Sequence, residues 1–171
     1  MAQNIELKAN VANRAELEQK VIVLVGNATA QLVQRDVYYG IRKGRLKYRT
    51  INNRQHELIY YNRPNTVEAK KSTFYKFNLW FPKLTHGILK TLYGETGIVE
   101  KERTLYMLDN IRIHLDDVKG LGHCMEFEYL VDAQHTEDMG KQRLLQLKEQ
   151  LALPDYSILT HSYVDIAAQR L

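Results

Sequence analysis

The sequence predicts an α+β domain built on an antiparallel sheet of about eight strands, with helices packed against it. Three observations support this fold class. The period of the apolar residues changes repeatedly between two and 3.6 along the chain. The strand-like segments are mostly separated by gaps of turn length, which favours antiparallel connections. The 171 residues include three prolines and nine glycines that do not cluster, so we expect a single domain over residues 1–171.

The first half of the chain is predicted to form five strands and two helices. Residues 4–11 alternate between apolar and polar side chains, which indicates a half-buried strand. Asn13 is a candidate N-cap for a helix that runs to about Val25. Pro82 can begin a second helix that reaches about Tyr93. The other strands in this half are expected at 29–39, 44–50, 56–64 and 73–80.

The second half is predicted to form three more strands and two helices. Segments 97–108, 111–118 and 123–133 are rich in β-branched and aromatic residues, which favours strands. A helix is expected from His135 to about Leu151, and a last amphipathic helix over about 161–171.

Composition excludes several classes of protein. The single Cys124 rules out an intramolecular disulfide framework and a four-cysteine zinc site. Charged side chains throughout residues 1–20 argue against a signal peptide, and no apolar run approaches ~18 residues. We therefore expect a cytoplasmic protein with no membrane partner, either a monomer or a homodimer. The net charge of +4 is too small to indicate nucleic-acid binding, so no nucleic-acid partner is expected.

Charged residues recur on one face of nearly every predicted strand. Residues two apart on a strand project from the same sheet face, so pairs such as Lys47 and Arg49 lie together. On a single strand this pattern is typical of a solvated surface. Solvated surfaces usually mix charges of both signs, whereas the pairs here are mostly of one sign. The charged set comprises Glu6, Lys8, Lys47, Arg49, Arg63, Lys76, Lys101, Arg103, Arg112, Asp116, Glu126 and Glu128.

The opposite face of the same strands is apolar. Its members include Ile5, Leu7, Leu46, Tyr48, Leu58, Tyr60, Tyr75, Phe77, Ile111, Ile113, Met125 and Phe127. If the predicted helices cover this face from outside, the charged face points inward across a closed sheet, as in a barrel wide enough to hold a ligand. Cations brought together in this way predict a polyanionic ligand, and the carboxylates predict a divalent cation beside it.

A series of motifs in this order resembles the CYTH domain family, the triphosphate tunnel metalloenzymes, which includes class IV adenylate cyclases and thiamine triphosphatases. The motifs are NIELK (4–8), GRLKYR (44–49), YYNRP (60–64), KER (101–103), HLDDVKGLGHCMEFE (114–128) and SYVD (162–165). The run at 114–128 is the most specific and resembles the CyaB-like branch. The resemblance covers the chain nearly from end to end.

This resemblance implies an eight-stranded antiparallel β-barrel, a tunnel that holds a triphosphate, with helices packed outside. The residues that would bind phosphate are Lys8, Lys47, Arg49, Arg63, Lys76, Lys101, Arg103 and Arg112. The residues that would hold Mg²⁺ or Mn²⁺ are Glu6, Glu126 and Glu128. The residues that would take part in catalysis are Glu6, Lys8, Lys76 and Asp116. Asp116 could orient a metal-bound water, a lysine or the nucleophile.

Three functions are compatible with this resemblance. The CyaB-like motif favours conversion of ATP to cyclic AMP and pyrophosphate. A triphosphatase that hydrolyses thiamine triphosphate, inorganic tripolyphosphate or a nucleoside triphosphate would use the same residues. Asn4 stands where the family motif has a first glutamate, which predicts weaker metal binding. In the extreme case the tunnel would bind polyphosphate or a nucleotide without turnover.

Several residues fall outside these assignments. The six histidines show no metal-ligand spacing, although His114 shares the inward phase of Arg112. Tyr38, Tyr39 and Tyr61 could pack in the core or stack on a substrate ring, and both alternatives stay open. Lys70 and Lys71 are expected in a loop, where they could close over one end of the tunnel.

Overall fold

The strands of the protein close into one antiparallel barrel in a computed structural model that describes residues 2–62 and 69–169. The strands are β1 (Ala2–Asn10), β2 (Ala30–Tyr39), β3 (Arg45–Ile51), β4 (Gln55–Asn62), β5 (Lys70–Asn78), β6 (Glu95–Leu108), β7 (Ile111–Val118) and β8 (Gly122–Val131). Their order around the barrel is β1-β5-β4-β3-β2-β6-β7-β8. The prediction of an eight-stranded antiparallel barrel is confirmed.

In the part of the chain that the structure describes, four α-helices lie outside the barrel: α1 (Arg14–Val25), α2 (Pro82–Tyr93), α3 (Glu137–Gln150) and α4 (Tyr163–Gln169). Asn13 caps α1 as predicted, because its side-chain oxygen accepts a hydrogen bond from the backbone N–H of Glu16. Thr136 caps α3 in the same way by accepting from the N–H of Met139. No helix among the described residues is both long and apolar enough to cross a lipid bilayer.

The prediction that Lys70 and Lys71 lie in a loop is wrong. Both belong to β5, where Lys70 pairs with Glu6 and Lys71 with Ile5 of β1. The apolar alternation in the sequence begins at residue 73. Backbone pairing with β1 extends the strand from there back to Lys70. The Lys71 side chain points outward and contacts Glu137 at the start of α3.

The main hydrophobic core lies between the barrel and two helices, not inside the barrel. The outer faces of β1, β7 and β8 contribute Ile5, Ile113 and Phe127, which are fully buried. Leu144 and Leu147 of α3 pack against this face. Gly140 permits the close approach, since a Cβ there would lie 2.7 Å from the Tyr129 ring.

The outer face on the other side of the barrel is only partly covered. The α2 helix packs on β2 and β3, where His86 forms a hydrogen bond with the Tyr39 hydroxyl and ring contacts with Tyr39 and Tyr48. Tyr75 and Phe77 of β5 remain 40% and 58% exposed. The condition that helices cover the apolar face from outside is therefore met for β1, β7 and β8 but not for β5.

Candidate functional site

A cavity of about 410 Å³ runs through the interior of the barrel. Every strand contributes inward-facing side chains to its wall, and Ser162 and Tyr163 at the start of α4 line it as well. Antiparallel pairing produces this convergence, because residues opposite each other on paired strands point to the same side of the sheet. Lys8, Glu126 and His114 face one another in this way across β1, β8 and β7. The cavity is within the size range of small-molecule sites.

The structure brings nearly all the predicted site residues into this cavity. The lining residues from the predicted set are Glu6, Lys8, Lys47, Arg49, Lys76, Lys101, Arg103, Arg112, Glu126 and Glu128. Asp116 is fully buried, in contact with Lys101 and Arg103. Arg63 lies outside the described residues.

Asp36 of β2 organises one group of cations. Arg49 donates to both carboxylate oxygens of Asp36 at 2.7 Å, and Lys47 donates at 2.8 Å. Burial alone would raise the pKa of Asp36, but Arg49 and Lys47 outweigh it and hold the pKa well below its usual range. Burial and the neighbouring Arg49 lower the pKa of Lys47 to about 8.

Asp116 of β7 organises a second group on the neighbouring strand β6. Arg103 donates from Nε and Nη2 at 2.6 Å each, and Lys101 donates at 2.9 Å. Tyr163 of α4 donates its hydroxyl to the same carboxylate at 3.1 Å. Burial opposes ionisation of Asp116, but Arg103 and Lys101 keep its pKa well below the usual range. Burial and Arg103 lower the pKa of Lys101 well below its usual range.

Glu126 connects the second group to β1. Arg103 donates to it at 2.7 Å, and Lys8 forms a close ion pair with it. Lys8 also lies 3.5 Å from Glu6. Glu126 therefore links Lys8, and through Lys8 also Glu6, to the Arg103 cluster.

His114, Glu126 and Glu128 form a compact group on β7 and β8. One candidate ligand atom from each lies within 4.8 Å of the others. His114 Nε2 is 3.2 Å from Glu128 Oε2. Burial, together with Arg103, lowers the pKa of His114 to about 4, so the imidazole is neutral near pH 7. Burial would raise the pKa of Glu128, but His114 and Arg103 hold it well below its usual range.

Two predicted cations lie where the cavity meets solvent. The Lys76 side chain is 51% exposed and its Nζ lies 3.2 Å from Glu57. The Arg112 side chain is 41% exposed and lies 3.5 Å from Glu128. An anion can reach these two cations from solvent, although the carboxylate that pairs with Lys76 is buried.

The structure corrects the expectation that the interior is a set of cations awaiting an anion. Asp36, Glu57 and Asp116 pair with Lys47, Arg49, Lys76, Lys101 and Arg103 inside the barrel. Sequence reasoning missed Asp36 and Glu57. The signal was available for Glu57, because Leu58 and Tyr60 were placed on the outer face and strand alternation then puts Glu57 inside. In β2, apolar residues occur on both faces, so alternation does not identify the inner one.

The three tyrosines lie on different faces of the sheet. Tyr38 and Tyr61 line the cavity, and the Lys47 ammonium lies 5.6 Å from the centroid of each ring. Tyr39 points outward to His86.

The histidines show no metal-ligand spacing in the sequence, but this did not reveal the surroundings of His114. Its acidic neighbours Glu126 and Glu128 lie on the adjacent strand and not nearby in sequence.

Solved structures share this architecture. The protein PH1012 from Pyrococcus horikoshii OT3 superposes with a TM-score of 0.84 at 22% identity, over 95% of this chain and 98% of that chain. A Vibrio parahaemolyticus protein described as a "putative adenylate cyclase" gives 0.77 at 20% identity, over 96% and 97% of the two chains. The Hippeastrum protein HpAC1, described as revealing a dominant triphosphatase activity, gives 0.68 at 14% identity, over 99% and 95%.

At these identities the similarity shows a shared fold. No curated protein matches the sequence at a significant level. The family model described as the CYTH domain matches residues 2–163, nearly the whole chain. With that match and the closed eight-stranded tunnel, the chain belongs to the CYTH family.

Proposed function

We propose that this protein is a metal-dependent enzyme that binds a triphosphate in the barrel and converts ATP to cyclic AMP and pyrophosphate. The observation that carries the proposal is the convergence of cations from separate strands on one enclosed cavity that also holds a carboxylate pair. The resemblance of HLDDVKGLGHCMEFE to the CyaB-like branch supports the cyclase reaction over hydrolysis.

Phosphate binding is assigned to Lys8, Lys47, Arg49, Lys76, Lys101, Arg103 and Arg112, and to Arg63 by its place in the YYNRP motif. Arg49 and Arg103 donate Nε and Nη2 to carboxylates, so Nη1 of each guanidinium group would be the donor to phosphate. Their carboxylate partners Asp36 and Asp116 hold them in place before substrate arrives. Asp116 is therefore a positioning residue, and its low pKa argues against a role as proton acceptor.

The carboxylates fit a divalent metal ion. Glu126 and Glu128 are adjacent inward positions of β8, and Glu6 pairs with Glu128 across β1. We assign these three residues as metal ligands, with Mg²⁺ or Mn²⁺ as the cation. A bound cation would supply charge stabilisation and lower the pKa of a coordinated hydroxyl.

The remaining steps are carried out by side chains of the chain itself. Lys8 lies between Glu6 and Glu126 and can bind the α-phosphate beside the ligand group. In the proposed reaction the ribose 3′-hydroxyl loses its proton to water and its oxygen forms a bond to the α-phosphorus, while the bond from the α-phosphorus to the bridging oxygen of the β-phosphate breaks. The leaving pyrophosphate gains charge, which Arg49, Arg103 and Lys76 would stabilise.

Product analysis tests the proposal. The full chain is incubated with ATP, tripolyphosphate or thiamine triphosphate, each with Mg²⁺ or Mn²⁺, and cyclic AMP, pyrophosphate and phosphate are measured. We expect cyclic AMP and pyrophosphate in equal amounts from ATP. Phosphate release without cyclic AMP would overturn the cyclase assignment and identify a triphosphatase. Tight binding of all three compounds without any product would identify a binding module and overturn the enzyme proposal.

A further inference from the structure

Three side chains in the cavity wall contain buried polar atoms that have no hydrogen-bond partner among the described residues. These atoms are Asn4 Oδ1, Gln34 Oε1 and both ring nitrogens of His114. Buried polar groups are normally satisfied, so each such atom calls for an explanation. His114 is the most informative of the three, because an imidazole nitrogen is a common metal ligand.

The surroundings of His114 point to a cation. Its side chain is 95% buried, since only 5% remains exposed, and its Nε2 lies 3.2 Å from Glu128 Oε2 without forming an aligned hydrogen bond. Glu126 stands directly opposite His114 in the register between β7 and β8. A carboxylate cluster alone is weak evidence for a metal, but here a buried nitrogen without a hydrogen bond lies against it.

We propose that His114 supplies a nitrogen ligand to the divalent cation held by Glu126 and Glu128, which makes the site selective for a borderline first-row cation such as Co²⁺ over Mg²⁺. The inference rests on the proposed metal-dependent function and specifies the class of metal. Hard cations such as Mg²⁺ bind best to oxygen donors, whereas imidazole favours later first-row metals.

Asn4 is consistent with this preference. It faces the same cavity from β1, two residues from Glu6, and replaces a family carboxylate with a neutral amide. A site that loses a negative charge and gains an imidazole loses more affinity for Mg²⁺ than for a cation that forms stronger bonds to nitrogen.

The decisive experiment is pulsed electron paramagnetic resonance of the full chain loaded with Mn²⁺ alone. We expect modulation from a directly coordinated ¹⁴N nucleus, and we expect it to change to the ¹⁵N pattern when the histidines are labelled with ¹⁵N. This measurement uses the unaltered protein and needs no turnover. Mn²⁺ bound without nitrogen coupling, or no Mn²⁺ binding at all, would overturn the inference.

Titration calorimetry with Co²⁺ and Mg²⁺ assigns the ligand to a residue. We expect His114→Gln to lose about tenfold or more in Co²⁺ affinity while its Mg²⁺ affinity stays within about threefold. His123→Gln is the matched control, because His123 lies exposed on β8, and it should bind both metals like the unaltered chain. Equal Co²⁺ affinity in the two variants would overturn the assignment to His114.

The two proposals can fail separately. Nitrogen coupling in a protein that forms no product from any triphosphate would leave the metal assignment standing and overturn the enzyme proposal. Cyclic AMP formation by a Mn²⁺-loaded protein without nitrogen coupling would overturn the metal assignment and leave the enzyme proposal standing.

Discussion

Arg49 and Asp36 form a two-pronged ion pair across neighbouring strands inside the barrel, with Nε donating to Oδ1 and Nη2 to Oδ2 at 2.7 Å each. Asp36 also accepts from Lys47. The cations assigned to substrate are therefore held by an internal carboxylate before any triphosphate binds. This arrangement limits repulsion between the cations and fixes the guanidinium plane.

Replacing Asp36 should destabilise the free protein far more than the liganded one. Asp36→Asn leaves two buried cations without their counterion, which should cost about 3–5 kcal/mol in the free energy of unfolding. Tripolyphosphate can supply the missing negative charge, so it should raise the melting temperature more in the variant than in the unaltered chain. Urea and thermal unfolding with and without tripolyphosphate measure both effects.

Asp117→Asn is the control for that experiment, since Asp117 is exposed on β7 next to Asp116. It should change the unfolding free energy by less than about 0.5 kcal/mol. An equally small effect of Asp36→Asn would show that Asp36 does not hold Lys47 and Arg49 in place.

Arg103 should be irreplaceable by lysine. Arg103→Lys keeps the positive charge beside Asp116 and Glu126 but loses the fork that contacts both carboxylates. We expect the rate of ATP turnover to fall by about 10²-fold or more. Arg35→Lys on the outer face of β2 serves as the matched control and should retain activity, because Arg35 pairs with Glu100 in solvent. Similar rates in the two variants would contradict the assignment of Arg103 to substrate.

Anion binding should weaken as the pH rises through the range in which Lys47 loses its proton. The pKa of Lys47 in the free protein is about 8, and a bound triphosphate favours the protonated lysine. Calorimetry in buffers of different ionisation enthalpy should detect proton uptake on tripolyphosphate binding near pH 8.5. Lys47→Arg stays charged and should reduce this uptake, whereas Lys119→Arg at an exposed position should not.

The titration of Lys47 also affects stability, and here the effect of rising pH is favourable, whereas it weakens anion binding. The pKa of Lys47 is depressed in the folded chain, so between about pH 8 and its unfolded value of about 10.4 the unfolded chain binds more protons. The Lys47 contribution to the unfolding free energy should therefore rise with pH across this range. A pH series of urea unfolding on the Lys47→Arg variant should lack that rise.

Lys76 and Lys71 test the difference between the two faces of one strand. Both belong to β5, but Lys76 lines the cavity and Lys71 contacts Glu137 outside. Lys76→Ala should raise KM for ATP by about tenfold, and it should also lower the free energy of unfolding, because the buried carboxylate of Glu57 loses its cation. Lys71→Ala should leave KM unchanged. An equal effect of both substitutions would argue against binding inside the barrel.

A carboxylate at position 4 tests the contribution of Asn4 to the proposed cation site. Asn4→Glu adds one negative charge near Glu6 inside the barrel, so Mg²⁺ affinity should rise by about tenfold. Titration of the metal dependence of turnover measures the change. An unaltered metal requirement would show that position 4 does not contribute to the cation site. Asn10→Glu, at the exposed end of β1, controls for added charge alone.

The sequence by itself determined most of the strands and the motifs of the family. It also determined the faces of those strands that have a single apolar side, but not the inner face of β2. The alternation around Lys47 and Arg49, and around Glu126 and Glu128, shows which side chains share a face, because strand geometry fixes that relation locally. The boundaries were less certain: β5 begins at Lys70 because β1 pairs with it, and this pairing leaves no local signal in the sequence.

Only the tertiary structure decided which charges meet. Asp36 pairs with Arg49 and Asp116 with Arg103, while His114 lies against Glu128. Each of these contacts joins different strands, so its existence depends on barrel closure and on the register between strands. Ionisation depends on the same contacts, because burial and neighbouring charges together set a pKa and neither can be read from one strand.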